Sequence, residues 1–461
     1  MTELDELDAT FEKWLGDTYD LDSIHLALIT AAIVQLDGDL LWTLIVSGSG
    51  NAKTETVQAL RDAEGVRMIS TLSSSAALLS GSPKRESDEN STGGLLAQIG
   101  AKGVLVIKDV TSILSMPHTA RDGVLAALRE VYDGYWSRES GANGGQNLEW
   151  SGRIAVVGAV TTAWDTHHAA VATFGDRFVL LRTDSTTRAT RHAAARQSVD
   201  NIGSEDRMRS ELAGAAKAVL ENIGEAPHLH DNETTTLRMM ADLACRARGA
   251  VERDFKGEPL FPHAPEMPTR LAKQLAQIVR GGVAIGMQRE DAMRLALRCA
   301  LDSIPPLRLK LLRHLAKLTS SALVAEVVKA VQHPRNTVDR ELQCLQLLGL
   351  AEIHYEEYSN RRGEASERWR YGLSMEAAED YAKYLRESTF SGKVRSEKHT
   401  LSTQTHSYDF SGKSAELENE SLTPEVESLL NSGPPTEESW RAPRAANHEG
   451  PGSELVAARP F

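Results

Sequence analysis

The 461-residue sequence predicts an α/β fold in which helices cover a parallel sheet, followed by further helical units. Three observations support this prediction. Apolar, strand-like runs alternate with helical patterns between residues 20 and 185, a glycine-containing loop follows the first of these runs, and the pattern turns helical from about residue 200. Alternating strands and helices form parallel sheets, which bind ligands at the carboxyl ends of their strands.

The composition is that of a helix-rich globular protein with an acidic balance. A net charge of -13 argues against a generally basic protein that coats nucleic acid, although a local basic module is compatible with it. The three cysteines, Cys245, Cys299 and Cys344, form no CxxC pair, so we expect reduced core residues in a cytoplasmic protein. The apolar stretch at residues 24–34 is too short to span a bilayer, so no membrane segment is expected.

The predicted elements follow an acidic N-terminal segment, residues 1–20. Five apolar runs are expected to be strands, at residues 40–46, 66–69, 104–107, 154–160 and 178–181, and helical patterns lie at 21–34, 54–60 and 123–132. Polar insertions occupy residues 80–94 and 135–152. The second has a glycine-rich centre between Trp136 and Trp150 and predicts a hairpin. Helical spacing returns at 237–250 and 271–285, so residues 196–305 are predicted to be helical.

The stretch SGSGNAKT, residues 47–54, follows the first strand and opens a helix, which is the layout of a phosphate-binding P-loop. In a P-loop the backbone amides face phosphate oxygens, the lysine neutralises them, and the next hydroxyl holds Mg²⁺. The pattern expects glycine at positions 47 and 52. If residue 52 needs a positive φ, alanine costs on the order of 1 kcal/mol there. The predicted cofactors are therefore ATP and Mg²⁺, bound by Ser47, Gly48, Ser49, Gly50, Asn51, Ala52, Lys53 and Thr54.

A second buried-strand pattern, GVLVIKDVTSIL, ends in Asp109, which is expected to act in catalysis and in holding Mg²⁺ together with Thr54. Two alignments are open. If Asp109 is the acid on the metal side, Val110 cannot be the base, and if Asp109 is the base, Lys108 replaces the metal-side acid. Unit charges about 4 Å apart interact by roughly 4 kcal/mol at an effective dielectric of 20, so Lys108 either points away or takes over part of the metal's charge. The pattern favours ATP binding over fast hydrolysis.

With these motifs in order, residues 20–300 resemble the AAA+ ATPases. The resemblance is strongest to the group that includes the MCM helicases, the MoxR-type ATPases and the bacterial enhancer-binding activators, which have an insertion before the Walker B strand and a hairpin before sensor 1. Residues 47–54 resemble Walker A and residues 104–109 resemble Walker B. In the family such a hairpin often contacts DNA, which the resemblance assigns to Arg138, although a solvated charge fits equally well.

The same resemblance implies roles for four further residues. It gives Thr161 or Thr162 a sensor 1 contact with the γ-phosphate or water, makes Arg177 in FGDRFVLLR the candidate arginine finger, and makes Arg270 the nucleotide-binding sensor 2 residue of a lid helix. An arginine finger acts on a neighbouring subunit, so the resemblance implies a homo-oligomeric ring or filament. Taken singly, Arg177 and Arg270 are equally compatible with surface salt bridges.

Residues 306–386 form a separate pattern. Helices are predicted at 307–317, 321–331 and 336–348, then strands at 350–355 and 368–373 around a polar turn at 358–367. Three helices followed by such a wing resemble the winged-helix variant of helix-turn-helix. The third helix is expected to start with Asn336 or Thr337 as its N-cap and to bury apolar residues at helical spacing. The resemblance implies double-stranded DNA as a partner, contacted by Arg335, Thr337 and Arg340 from this helix and by Arg361, Arg362, Arg368 and Arg370 from the wing.

Together these features predict an ATP-binding AAA+ protein that couples nucleotide to DNA, in replication and helicase loading or in transcription regulation. Two alternatives stay open: a non-hydrolysing, nucleotide-sensing DNA-binding regulator, and a MoxR-like remodeller whose winged helix grips protein. Glutamates at 352, 356 and 357 reduce the positive charge of the predicted winged helix, so binding of protein by this unit stays an alternative to DNA binding. The predicted domains are 1–20, the core 21–195, the lid 196–305, the winged helix 306–386 and a disordered tail 387–461.

Overall fold

The computed structural model describes residues 2–79, 94–140, 146–166, 177–183, 187–359 and 365–386. The predicted insertion at 80–94 lies almost wholly outside the described residues, and the predicted tail lies wholly outside them. The strands are β1 Trp42–Val46, β2 Val66–Ile69, β3 Lys102–Ile107, β4 Tyr135–Ser140, β5 Gln146–Ser151, β6 Arg153–Val160, β7 Val179–Arg182, β8 Val251–Arg253, β9 Pro259–Pro262, β10 Ala322–Leu323, β11 Ala351–Ser359 and β12 Ala365–Leu373.

The α-helices carry the labels α1 to α15 in chain order. They span Glu3–Leu15, Asp22–Ala32, Lys53–Gln58, Leu95–Ile99, Thr111–Leu114, His118–Tyr132, Arg188–Asp200, Glu205–Glu221, Asp231–Ala247, Thr269–Ala284, Arg289–Asp302, Pro306–Lys317, Val324–Val331, Arg335–Leu347 and Met375–Arg386. No helix in the described ranges is long and apolar enough to cross a membrane.

A five-stranded parallel sheet in the order β2-β3-β6-β1-β7 confirms the predicted α/β fold. The five predicted strands all occur, and their ends differ from the prediction by no more than two residues. The chain leaves β1 toward β2 at one edge of the sheet, and it leaves β6 toward β7 at the other edge. The strand order therefore reverses between β1 and β6, which is where open α/β sheets bind ligands, outside the carboxyl ends of the strands.

Both faces of this sheet are buried, which explains why its strands read as continuous apolar runs. Along β1, Ile45 points into one hydrophobic cluster, whereas Leu44 and Val46 point into the other. The first cluster includes α2 and the helices after residue 200. The second includes α6 and the tryptophans of the β4–β5 hairpin, which confirms the hairpin predicted between residues 135 and 152. The strand termini are thus held rigidly from both sides.

A close crossing of α2 and α10 fixes the helical layer on the first face. Gly281 and Gly282 lie at this crossing, and a Cβ atom on Gly281 would come within 2.9 Å of the Ile29 side chain. Glycine is therefore required by the close approach of the two helices. The acidic segment at residues 1–20 also contributes, because it contains α1, whose Leu7 and Phe11 are fully buried in the same cluster. This helix is an addition to the predicted elements.

Three local predictions in the second half of the chain are wrong. Residues 196–305 are not purely helical, because β8 and β9 form an antiparallel hairpin between Val251 and Pro262. The helix α14 begins one residue earlier than expected, with Pro334 as its N-cap and no side-chain cap from Asn336 or Thr337. The polar turn is shorter than 358–367, because β11 extends to Ser359 and β12 starts at Ala365. The pairing of β11 with β12 continues through polar residues as far as Ser359 and Ala365, because cross-strand side-chain pairs also stabilise this part of the hairpin.

Residues 306–386 contain the three predicted helices, but the second begins at Val324 instead of residue 321, because Ala322 and Leu323 form β10. The strands β10, β12 and β11 pair in that order in a three-stranded sheet, and α15, which was not predicted, follows. This module shares a hydrophobic cluster with the helices before it. Buried polar contacts reinforce the join: the Arg308 guanidinium donates to the carbonyls of Ala247 and Gly249, and Tyr381 donates to Asp242. Residues 306–386 therefore pack directly against α9 and are not connected to it by the chain alone.

Candidate functional site

The loop between β1 and α3 is anchored at the carboxyl ends of two neighbouring strands. The Ser47 amide donates to the carbonyl of Val160 at the end of β6, and the Thr183 amide donates to Val46 from the end of β7. The Asn51 side chain donates to the Thr183 hydroxyl at 2.8 Å, which ties the middle of the loop to the segment after β7. The predicted P-loop thus lies at the reversal point of the strand order.

The backbone of this loop offers a run of unused donors. Within the described residues, no amide from Gly48 to Glu55 donates a hydrogen bond to protein, and the first amide that does is that of Thr56, which bonds to Ala52. Successive free amides in a tight loop form a concavity that suits an anion. The helix α3 has only six residues, so these loop amides, rather than a long helix dipole, make the site electropositive.

Ala52 answers the question raised by the altered glycine pattern. It has φ 50° and ψ 10°, in the left-handed region, directly before α3. Gly50 is also left-handed, with φ 80°. The position of Ala52 therefore requires the conformation that glycine adopts freely, and alanine is strained there by roughly 1–2 kcal/mol. Such strain in a non-glycine residue often marks a functional site.

Lys53 folds back over the mouth of the loop. Its Nζ donates to the Ser47 carbonyl at 3.0 Å, to the Ser47 hydroxyl at 3.1 Å and to the Gly48 carbonyl at 2.5 Å. Burial lowers the pKa of the Lys53 ammonium, and the nearby carboxylate of Asp109 opposes this shift. Lys53, which follows β1, and Asp109, which follows β3, therefore lie close enough for their charges to interact. The present hydrogen-bond partners of Lys53 are neutral, and a phosphate could replace them with charged ones.

Asp109 is linked through Thr111 to Thr161, one of the two threonines expected to act as sensor 1. The Asp109 carboxylate accepts from the Thr111 amide at 3.0 Å, and the Thr111 hydroxyl donates to Thr161 at 3.3 Å and accepts from the Thr161 amide. Thr161 is thus engaged, whereas the side chain of Thr162 is exposed. Lys108 is half-buried and forms no ion pair with any described residue.

The other side chains proposed for Mg²⁺ and nucleotide are accessible. Thr54 is exposed at the start of α3, and Asp109 is exposed beyond β3. Among the described residues, no three His, Cys, Asp or Glu side chains come together closely enough to hold a metal ion. One hydroxyl and one carboxylate suit Mg²⁺ only when phosphate oxygens and water supply the remaining ligands.

Arg177 and Arg270 lie together near the amino end of β1, whereas the predicted P-loop follows its carboxyl end. Both guanidinium groups approach the Tyr132 ring, with centroid distances of 5.5 Å and 5.9 Å, and Arg177 also pairs with Asp133 at 3.2 Å. Tyr132 in turn packs against Trp42, the first residue of β1. Burial, and then the charge of Arg270, lower the pKa of Arg177. The structure does not bring either arginine to the P-loop of its own chain.

An ionic network that sequence reasoning missed joins the helix α11 to the carboxyl end of β7, beside the predicted P-loop. Arg182, at the end of β7, donates its amide to Asp302 at 2.8 Å, and Arg298 donates to the Arg182 carbonyl at 2.8 Å. Arg294 and Arg298 both bind the buried Asp22 carboxylate, with all three donor–acceptor distances at 2.7 Å. The network also includes Asp20, which pairs with Arg298, and Asp165, which pairs with Arg182. No local motif signals such a network, because its members lie far apart in sequence.

The β8–β9 hairpin covers part of the predicted DNA-reading helix. Arg340 donates to Glu258 at 2.7 Å and to the Lys256 carbonyl at 2.7 Å. Arg335 and Thr337 are exposed at the start of α14. Of the three DNA-contacting residues proposed on this helix, one is therefore already paired within the chain.

The proposed wing contacts are also partly neutralised. Arg368 and Arg370 share the Glu356 carboxylate, at 2.8 Å and 3.0 Å, whereas Arg361 and Arg362 lie outside the described residues. Hydrogen bonds from these two arginines lower the pKa of Glu356 to about 2. Residues 306–386 contain 13 Lys and Arg against 11 Asp and Glu, so the module is weakly basic within an acidic chain.

The function of this chain has to be argued from its own site, because no known protein-family model matches it and no curated protein is significantly similar to it in sequence.

Proposed function

We propose that this chain is an AAA+-like P-loop protein that binds ATP with Mg²⁺ at the carboxyl edge of its sheet and couples nucleotide binding to DNA binding by the winged-helix module. The observation that carries the proposal is the loop at residues 47–54. It combines a run of unused amides, a strained Ala52 and the Lys53 ammonium, and it lies at the reversal of strand order.

Electrostatics support a triphosphate over an uncharged ligand. The donors of Gly48 to Glu55 and the Lys53 ammonium would bind the phosphates, and the ammonium would then exchange carbonyl partners for anionic oxygens. Thr54 and Asp109 would hold Mg²⁺, whose chemistry is to screen the phosphate charges. The interaction of Asp109 with Lys53 favours the alignment in which Asp109 is the metal-side acid.

Slow hydrolysis follows from the same alignment. If Asp109 is on the metal side, the next position is Val110, which is buried and cannot polarise water. Arg177 and Arg270, the arginines that would stabilise the transferred charge, both lie over the Tyr132 ring, away from residues 47–54. In this proposal they would therefore act on the nucleotide of a neighbouring copy. We therefore favour a nucleotide-binding switch, in a ring or filament, over a fast ATPase.

A protein-gripping role for the module is the second candidate, because three of the proposed DNA contacts are already paired. Arg340 binds Glu258, and Arg368 and Arg370 bind Glu356. Sequence-independent DNA affinity comes from unpaired cations that displace counterions. A gel shift on duplex DNA at low salt separates the two roles, since a remodeller of protein would give none.

The test of the proposal is ATP binding by the Lys53→Ala variant of the full chain. We expect the affinity for a fluorescent ATP analogue to fall by roughly ten- to a hundredfold, because a charge-assisted phosphate contact contributes about 1.5–3 kcal/mol. Lys102→Ala is the matched control, since Lys102 is exposed at the other end of β3. Equal affinity of the Lys53→Ala variant and the control would refute the P-loop assignment.

A further inference from the structure

One face of the wing carries an aromatic pair beside an acidic pair. In the β11–β12 register Tyr355 lies opposite Trp369, and Glu357 lies opposite Glu367, two residues nearer the tip. Because side chains alternate between the faces of a strand, all four project from the same side. The two rings meet edge to face at 6.4 Å. We name this surface the aromatic–acidic face.

Both halves of this face are open to solvent. Tyr355 is 67% exposed and Trp369 is 47% exposed, which is high for residues whose large rings are normally mostly buried. Glu357 and Glu367 are exposed as well, and neither forms an ion pair with any residue in the described part of the chain. The base of the same face is closed, because Tyr371 is fully buried.

The other side of the same two strands is different. There Glu356 is neutralised by Arg368 and Arg370, and His354 lies 3.1 Å from Glu352. The wing therefore pairs its charges on one side and leaves two like charges opposite each other on the other. Aromatic cross-strand pairs stabilise a hairpin by themselves, but like charges directly opposite destabilise it. Hairpin stability thus accounts for the aromatic pair and not for the glutamate pair.

We propose that the aromatic–acidic face docks an arginine- or lysine-bearing segment of a partner protein. A cation over the faces of Tyr355 and Trp369 gains a cation–π contact, and the carboxylates of Glu357 and Glu367 supply the counter-charge. Bound there, the partner's cation also relieves the repulsion between the two glutamates. Nucleic acid does not fit this face, because the same carboxylates repel phosphates. The inference goes beyond the proposed function and does not depend on ATP binding.

The experiment titrates the full chain against a fluorescein-labelled octapeptide of alternating Arg and Gly, with fluorescence anisotropy at low salt. We expect saturable binding that the double variant Tyr355→Ala/Trp369→Ala weakens about tenfold. The double variant Glu357→Gln/Glu367→Gln should weaken binding about fivefold and reduce its salt dependence. Tyr358→Ala and Glu352→Gln, on the opposite side of the wing, are matched controls and should leave the Kd within about twofold.

The glutamine pair separates docking from folding. Removing two like charges that face each other should leave the Tm of the chain unchanged or slightly higher, so weaker peptide binding by this variant cannot come from a damaged wing. Peptide affinity equal to that of the parent in both double variants would overturn the proposal. Two other results would also overturn it. In the first, a labelled dT12 oligonucleotide binds in place of the peptide, and the aromatic double variant abolishes that binding. In the second, the peptide fails to bind, and the chain self-associates in a way that the aromatic double variant abolishes.

Discussion

Replacing Asp22 by asparagine tests whether the ionic network fastens the helix α11 to the sheet. Asp22 is 3% exposed, and its carboxylate accepts hydrogen bonds from both Arg294 and Arg298. Asparagine keeps the size of the side chain but removes its charge. Two buried guanidinium groups then lose a shared counter-ion, and only Arg298 retains another strong partner, Asp20.

The expected magnitude follows from the surroundings of the carboxylate. Burial alone would raise the pKa of Asp22, but the hydrogen bond from Arg294 and the charges of both arginines outweigh it and lower the pKa from 3.8 to about 2. A difference of about two pKa units corresponds to roughly 2–3 kcal/mol between the protonated and the charged form. Breaking a buried pair typically costs about 3–5 kcal/mol. We therefore expect Asp22→Asn to lower the free energy of unfolding by about 3 kcal/mol at pH 7.

Urea denaturation at pH 7 and pH 3, followed by tryptophan fluorescence, measures this loss. Because the folded pKa lies below the unfolded one, the stabilisation is fully present above about pH 4 and is lost as the pH falls toward 2. The gap between parent and variant should therefore narrow at pH 3. Asp206→Asn is the control, since Asp206 is fully exposed and its pair with Arg209 spans 3.9 Å. A loss no larger than that of the control, or a gap independent of pH, would refute the argument.

Three further predictions concern the proposed sites. Ala52→Gly should relieve the strain of a left-handed backbone and raise the free energy of unfolding by up to about 1 kcal/mol. Gln332→Gly, at φ 54°, is the control and should stabilise the chain by a similar amount. Only Ala52→Gly should change the affinity for ATP, which calorimetry would measure. Asp109→Asn should abolish the Mg²⁺ dependence of ATP binding, and an unchanged Mg²⁺ titration would remove it from the metal site. Arg335→Ala should weaken duplex DNA binding and reduce its salt slope by about 1, whereas Arg340→Ala should do less because Arg340 is already paired with Glu258; equal effects would contradict this reading of α14.

The parallel sheet could be predicted because its strands are buried on both faces and therefore appear as apolar runs. The approach of Lys53 to Asp109 could also be predicted, because each residue follows a strand of the parallel sheet and the carboxyl ends of parallel strands lie on the same side. The energetic cost of alanine at position 52 could be predicted only conditionally, because the sequence does not reveal the sign of φ at that residue. The structure supplied the answer.

Contacts between distant segments could not be predicted in the same way. Asp22 and Arg294 are separated by 272 positions, and nothing local in either stretch points to the other. The hairpin at 251–262 has only short strands, of three and four residues, so no alternating pattern reveals it. Arg340, one of the proposed DNA contacts, is paired with this hairpin. The helix α1 is a different case, because its buried residues Leu4, Leu7, Phe11 and Trp14 recur at the spacing of one helix face.

The bond between Arg308 and the carbonyls of Ala247 and Gly249 has a mechanical consequence. It fastens the first helix of the C-terminal module to the last turn of α9, so no free hinge separates the two. A close-packed joint of this kind transmits a small displacement instead of absorbing it. A tilt of α9 must therefore move the β11–β12 hairpin with it. Cutting the chain near residue 305 would expose apolar surface on both halves and would not release two independently folded domains.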